Sequence, residues 1–148
     1  MISNNIFSRN AHCLIRISIA SVFLYHGMLK FAGLDLFTQI LPISYTQVVL
    51  VATAQVIGSI LVLLGGFGSD RLSDISTRIG ALMNVPVMIG AIVLVHWGRW
   101  SFVPAEGYPM GGMEFQVVLT LMMIYLALTG NQGISSVGSR PVNRLNHF

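Results

Sequence analysis

A histidine and a lysine stand four residues apart in the apolar stretch VFLYHGMLKF, at His26 and Lys30. Residues with this spacing lie on one face of a helix, a single turn from each other. Polar side chains in hydrocarbon cost several kcal/mol unless they find partners or water, so the pair is a candidate for a binding site. An imidazole can exchange protons near neutral pH, and an ammonium attracts an anionic or carbonyl-bearing ligand.

Polar side chains of three later apolar stretches fall at a comparable depth. Gln55 lies roughly 12 Å inside the second stretch, His96 and Arg99 close the third, and Glu114 opens the fourth. We therefore predict one shared ligand-binding site, formed by His26, Lys30, Gln55, His96, Arg99 and Glu114. A quinone headgroup needs hydrogen-bond partners for two carbonyls near the membrane surface, and these residue types could supply both the partners and protons.

Each of these residues also has a purely structural interpretation. His26 could donate to a neighbouring carbonyl and fix helix packing, while Lys30 and Arg99 could be snorkelling anchors. Glu114 could be a carboxylate that favours a helix N-terminus. Haem ligation by His26 and His96 is weakly supported, because two histidines without a fixed spacing are not a haem motif. A zinc site would need more ligands than these. We therefore expect no metal site.

The elements that must hold these side chains are apolar segments of membrane-spanning length. Of the 148 residues, 54% are hydrophobic and 9% are charged, with a mean hydropathy of +0.76; soluble domains average about 25% charged residues. The apolar stretches cover residues 13–31, 46–67, 79–97 and 113–129, each near the length that crosses a bilayer. The sequence predicts an all-α membrane protein, with residues 1–148 forming one four-transmembrane-helix bundle.

The basic residues divide unevenly between the two sides of such a bundle. Arg9, Arg16, Arg71, Arg78, Arg140 and Arg144 fall on one side, and Lys30 and Arg99 on the other. Because Lys and Arg are enriched in cytoplasmic segments, we expect both termini in the cytoplasm and the polar site in the outer leaflet. We interpret the first apolar stretch as a retained span rather than a cleaved signal peptide, with Arg16 snorkelling to the cytoplasmic surface.

Other residues limit the packing and the function class. Gly58 and Gly90 indicate close approach of helices, and Pro86 is expected to kink the third span. The single cysteine, Cys13, excludes a disulfide within the chain and a CxxC motif. The scattered basic residues do not form the basic, aromatic-interleaved surface that binds nucleic acid.

The stretches RISIASVFLYHGMLKF, MIGAIVLVHWGRW and GGMEFQVVLTLMMIYLALTG together resemble the DoxX family of small four-helix bacterial membrane proteins. The most specific parts are the Tyr-His-Gly of the first stretch, the histidine near the end of the third and the glutamate that opens the fourth. The resemblance implies an α-helical bundle in the bacterial cytoplasmic (inner) membrane. One branch of that family is linked to thiosulfate oxidation with electrons passed to quinone, as a small subunit beside a larger partner.

Two function classes remain open at this point. The first is an accessory subunit of a quinone-linked oxidoreductase, which would receive electrons from a partner because this chain has neither CxxC nor a dinucleotide-binding GxGxxG motif. The alternative is a non-catalytic structural or assembly subunit of a larger membrane complex. A transporter is less favoured, since four spans without internal repeats provide little for alternating access.

Overall fold

The apolar stretches form helices that follow one another through short connections. The computed structural model describes residues 3–68 and 70–131, with the backbone alone for residues 3–10. The elements are α1 (Ser3–Ala32), α2 (Leu34–Ile40), α3 (Tyr45–Gly65), α4 (Arg71–Ala91), a π-helical turn (Ile92–His96) and α5 (Glu114–Thr129). Within this described part, extended pairing is limited to one isolated bridge between Ala105 and Tyr108. Arg140, Arg144 and the side chain of Arg9, on which the predicted orientation partly depends, lie outside the description.

Three helical segments are long and apolar enough to cross a membrane. They are Ala11–Ala32 in α1, Tyr45–Gly65 in α3, and Arg71–His96, which joins α4 to the π turn. The apolar helix α5 has 16 residues, which rise about 24 Å against about 30 Å of hydrocarbon. The all-helical prediction is confirmed for the described residues, and a fourth span stays a prediction.

The helices pack in chain order, α1 along α3, α3 along α4 and α4 along α5, whereas α1 and α5 touch at few points. At the crossing of α3 and α4, a Cβ on Gly58 would lie 2.7 Å from the carbonyl oxygen of Gly80 and would collide with the amide of Asn84. Gly58 therefore packs against a helix, as predicted. The same prediction for Gly90 is wrong, because a Cβ there would meet nothing within 4 Å.

The end of α4 changes its helical geometry before it reaches His96. Pro86 lies inside α4 and does not end it, although a proline removes one backbone hydrogen bond. The chain then continues as the π turn Ile92–His96. A π turn holds more residues than an α turn and changes the direction in which the following side chains point, and such turns are frequent at functional sites.

Arg16 differs from its predicted role. Its side chain is 2% exposed, with Nη1 donating to Val62 O at 2.9 Å and to Thr77 Oγ1 at 2.7 Å. Nη2 donates to Asn131 Oδ1 at 2.6 Å and to Gly130 O at 3.2 Å. The expectation that Arg16 snorkels to the surface is therefore wrong, because protein acceptors from α3, α4 and the end of α5 replace water around its guanidinium.

A second arginine covers the C-terminal carbonyls of α5. Arg78 forms an ion pair with Asp74 at 2.7 Å and donates from Nη1 to the carbonyl oxygens of Ala127 at 2.9 Å and Leu128 at 2.7 Å. Gly130, at φ +54°, ends the helix in a conformation that favours glycine. We call this the Arg16 end of the bundle, and the opposite end, where α1 finishes and α5 begins, the Lys30 end.

Candidate ligand-binding cavity

A cavity of about 760 Å³ lies at the Lys30 end between α1, α3, α4 and α5. This volume falls in the range of small-molecule pockets. Most of its lining is apolar and includes Val22, Phe23, Leu50, Val51, Met88, Leu94 and Leu119. The short helix α2 contributes Phe37, and the connections at this end contribute Leu41, Pro42, Ile43, Phe102, Met110 and Gly112. Gly90 belongs to the same wall, which explains why a Cβ on it would meet open space.

Lys30 is held between α1 and α3. Its Nζ donates to Gln55 Oε1 at 3.0 Å and to His26 O at 3.3 Å, and it lies 5.4 Å from the centre of the Phe37 ring. Gly27 permits this arrangement, because a Cβ there would sit 2.8 Å from Cγ2 of Val56 and would force α1 away from α3. The His-Gly pair of the first apolar stretch thus combines a cavity-lining side chain with a close helix contact.

The imidazole of His26 lines the cavity one turn before Lys30. Its ring packs edge-on against Tyr25, with the two ring centres 5.4 Å apart and an interplanar angle of 80°. Among the described residues, no hydrogen-bond partner is found for either of its ring nitrogens. Because His26 is an exposed residue, both nitrogens are accessible from the surroundings of the bundle as well as from the cavity.

His96 is fixed from both sides of its ring. Nδ1 lies 2.9 Å from Gly111 O, and Nε2 lies 3.0 Å from Nε2 of Gln116. A carbonyl only accepts, so the neutral ring carries its proton on Nδ1 and accepts from the Gln116 amide at Nε2. Gly111, at φ +77°, brings its carbonyl to the ring where a Cβ would collide with Phe102 O.

Gln116 is, with Gln47, one of two polar cavity residues that the predicted site did not include. It stands two positions after Glu114 in the first turn of α5 and lines the cavity, which Glu114 does not. Glu114 was included in the predicted site because it is charged. In an apolar environment, however, an amide such as that of Gln116 can satisfy a neutral histidine without adding an unpaired charge. The signal available in the sequence was a side chain that can both donate and accept hydrogen bonds, at the same expected depth as the predicted site histidine His96.

Arg99 and Glu114 lie outside the cavity lining. The Arg99 guanidinium lies over the Tyr108 ring, 5.8 Å from its centre. The backbone carbonyl of Arg99 accepts a hydrogen bond from Met113 N at 2.9 Å. No ion pair joins Arg99 to Glu114 in the described part of the chain. The structure thus brings four of the six predicted residues to one cavity, namely His26, Lys30, Gln55 and His96, and a ligand-binding role stays a prediction for all six.

The arrangement can hold a lipophilic molecule and donate hydrogen bonds to its polar end. Lys30 and His26 provide donors on the α1 wall, and the pair of His96 and Gln116 provides polar groups on the wall formed by the π turn and α5. Residues 3–68 and 70–131 contain no group of three or more His, Cys, Asp or Glu side chains that could hold a metal ion.

The similarity to known proteins covers the part of the chain that contains these cavity residues. The family model described as DoxX matches residues 11–97, which is more than half of the 148 residues and includes His26, Lys30, Gln55 and His96. The chain belongs to the DoxX family. A Bacillus subtilis (strain 168) protein named "Putative oxidoreductase CatD" is 29% identical to this DoxX protein over 122 residues, which are 80% of this chain and 78% of that protein. No solved structure matches. Family membership and the apolar helices together make this chain a membrane protein.

Proposed function

We propose that this DoxX protein is a multi-pass protein of the bacterial cytoplasmic membrane with four spans and both termini in the cytoplasm. Its cavity then lies in the outer leaflet. The basic residues with described side chains support this orientation, since Arg16, Arg71 and Arg78 lie at the Arg16 end and Lys30 and Arg99 at the Lys30 end. The fourth span is α5, whose last carbonyls are covered by Arg78 and Arg16, so its short length leaves few backbone groups to be satisfied by water.

The observation that carries the function is the cavity itself. Small-molecule sites are concave, mostly apolar clefts with a few polar groups. This bundle has such a half-open cavity of about 760 Å³ beside a lysine and two histidines, and side chains at its rim, such as Leu50 and Leu94, are exposed toward the surrounding bilayer. We infer that the cavity binds a lipophilic small molecule that reaches it from the bilayer.

We propose that this molecule is a quinone and that the protein is an accessory subunit of a quinone-linked oxidoreductase. Lys30 and His26 offer donors to a quinone carbonyl on one wall, and Gln116 and His96 offer polar groups on another. The name of the Bacillus subtilis relative, "Putative oxidoreductase CatD", agrees with this class. Electrons then arrive from a partner subunit, since quinone reduction needs a donor that this chain does not itself provide.

The test uses protein purified in mild detergent. We expect quinone to be recoverable from the wild-type protein by solvent extraction, and added short-chain quinone to quench the fluorescence of Trp97 and Trp100. Gly90→Leu fills the cavity from a position with free space and should abolish saturable quenching. Ile89→Phe, at a neighbouring site that is 49% exposed, adds bulk outside the cavity and is the matched control.

Two outcomes count against this function. Equal quinone affinity in Gly90→Leu and the wild type would place any quinone site elsewhere. Isolation of the protein as a stoichiometric member of a large complex, with no quinone in the extract and no saturable quenching, would instead support the structural or assembly subunit.

A further inference from the structure

The charge inside the cavity has one sign. Lys30 lines the wall, and the described lining residues include no Asp or Glu. The ion pair that the described part of the chain does contain, Arg78 with Asp74, lies at the Arg16 end. A cation in an apolar membrane site without an anion is unfavourable, because desolvation is not repaid by attraction to an opposite charge.

The contacts of Lys30 match a protonated ammonium. An ammonium has three N–H donors, and Nζ has three neighbours that attract such a donor: Gln55 Oε1 at 3.0 Å, His26 O at 3.3 Å and the face of the Phe37 ring at 5.4 Å. The first two accept hydrogen bonds, and the ring face attracts a cation. All three are neutral, so together with the partial negative charge at the C-terminal end of α1 they hold the ammonium in place but supply no anion.

We propose that the ligand supplies this missing charge and is an oxyanion carried on an apolar chain. This inference rests on the proposed function, that the cavity binds a lipophilic molecule, and narrows its ligand class. Lys30 provides the opposite charge. His26, one turn away with unpartnered ring nitrogens, provides a second donor, and charge-assisted hydrogen bonds are roughly twice as strong as neutral ones.

The rest of the wall fits the chain of such a molecule. Beyond Lys30 the lining continues toward the centre of the bundle with Val22, Val51, Met88 and Leu119. Each methylene that enters this lining gains about 0.8 kcal/mol from leaving water. The oxyanion can come from two sources, the carboxylate of a fatty acid or the ionised ring hydroxyl of a hydroxyquinone, and both place a negative oxygen at the end of an apolar body.

The experiment compares ligands of matched apolar body, one of which carries a negatively charged oxygen and the other no charge. Purified protein in nanodiscs of uncharged lipid is titrated with two matched pairs: dodecanoate against dodecanol, and an alkylated hydroxynaphthoquinone against its methyl analogue without the acidic hydroxyl. Binding is read by calorimetry. We expect at least one ionised ligand to bind about tenfold or more tightly than its uncharged match. The pair of ligands that shows this preference identifies the source of the oxyanion.

Variants at Lys30 provide the second measurement. Lys30→Met keeps the length and removes the charge, and it should abolish the preference for the ionised ligand while changing the affinity for the uncharged match less than twofold. Lys30→Arg should retain the preference. Equal binding of the ionised and uncharged members of both pairs to the wild-type protein overturns the oxyanion inference while the proposed function stands. Failure of all four ligands to bind overturns both.

Discussion

The side-chain amide of Gln116 donates to Nε2 of His96 across 3.0 Å and so joins the first turn of α5 to the last residue of the π turn. The other ring nitrogen is held by Gly111 O at 2.9 Å. The amide oxygen of Gln116 is buried and has no hydrogen-bond partner in the described part of the chain. The amide of Gln116 can turn either its donor or its acceptor toward the ring, so the tautomer of His96 and the orientation of Gln116 are linked.

The first prediction concerns the tautomer of His96. We expect a neutral ring with its proton on Nδ1, since that nitrogen faces a carbonyl that can only accept. Nitrogen NMR of protein labelled at histidine, with His96→Asn for assignment, measures this directly. In Gln116→Leu, Nε2 loses its donor and its resonance should shift while Nδ1 stays protonated. A dominant proton on Nε2 in the wild type would mean that the amide of Gln116 points the other way.

The second prediction concerns the buried arginine of α1. Arg16→Lys keeps the charge but cannot reach all four acceptors, Val62 O, Thr77 Oγ1, Gly130 O and Asn131 Oδ1. We expect a loss of about 1–3 kcal/mol of stability, measured as a lower midpoint of thermal unfolding in detergent. Arg71→Lys, at an exposed side chain of α4, is the control and should unfold as the wild type does. Equal midpoints for both variants would contradict a packing role for Arg16.

The third prediction contrasts two helical glycines. Gly58→Ala places a methyl group 2.7 Å from Gly80 O, so α3 and α4 must separate, and we expect a loss of about 1–3 kcal/mol. Gly90→Ala places the same group in open space and should leave the unfolding midpoint unchanged or slightly higher, since alanine favours a helix. Thermal unfolding measures both. Similar losses at the two positions would show that the space beside Gly90 is closed in solution.

The fourth prediction concerns orientation. In a Cys13→Ser background, Glu106→Cys lies in the exposed connection between the π turn and α5, and Arg71→Cys lies at the Arg16 end. A membrane-impermeant maleimide added to intact spheroplasts should label position 106 and not position 71, with both labelled after lysis. The reverse pattern would place the cavity in the cytoplasmic leaflet.

Local periodicity was enough to predict much of this arrangement. His26 and Lys30 line one cavity because residues four apart share a helix face, and Gln55 and His96 line it because their depths in their helices match. Gly58 was predictable as well, since small residues mark close helix crossings in membranes. Each of these statements needs only the spacing within one helix or a depth measured along it.

Long-range partners were not predictable in this way. Arg16 bonds to Thr77, 61 residues away, and to Asn131, 115 residues away, and no local pattern tells a buried arginine of this kind from one that reaches the membrane surface. Gly90 was wrongly predicted to be a packing residue, because the sequence does not distinguish a glycine at a helix contact from a glycine beside a cavity. Their difference lies in which atoms of the neighbouring helices surround each glycine, which is a tertiary property.

The short helix α5 has a consequence for the surrounding bilayer. Its 16 residues rise about 24 Å, and the guanidinium groups of Arg78 and Arg16 cover its terminal carbonyls, so this end can lie below the lipid headgroups without exposing unsatisfied backbone to acyl chains. The longer α3, with 21 residues, rises about 32 Å. In the proposed four-span topology, the unequal sides of the bundle make the bilayer thinner along α5 than along α3, and such hydrophobic mismatch favours the gathering of shorter-chain lipids on one flank of the protein.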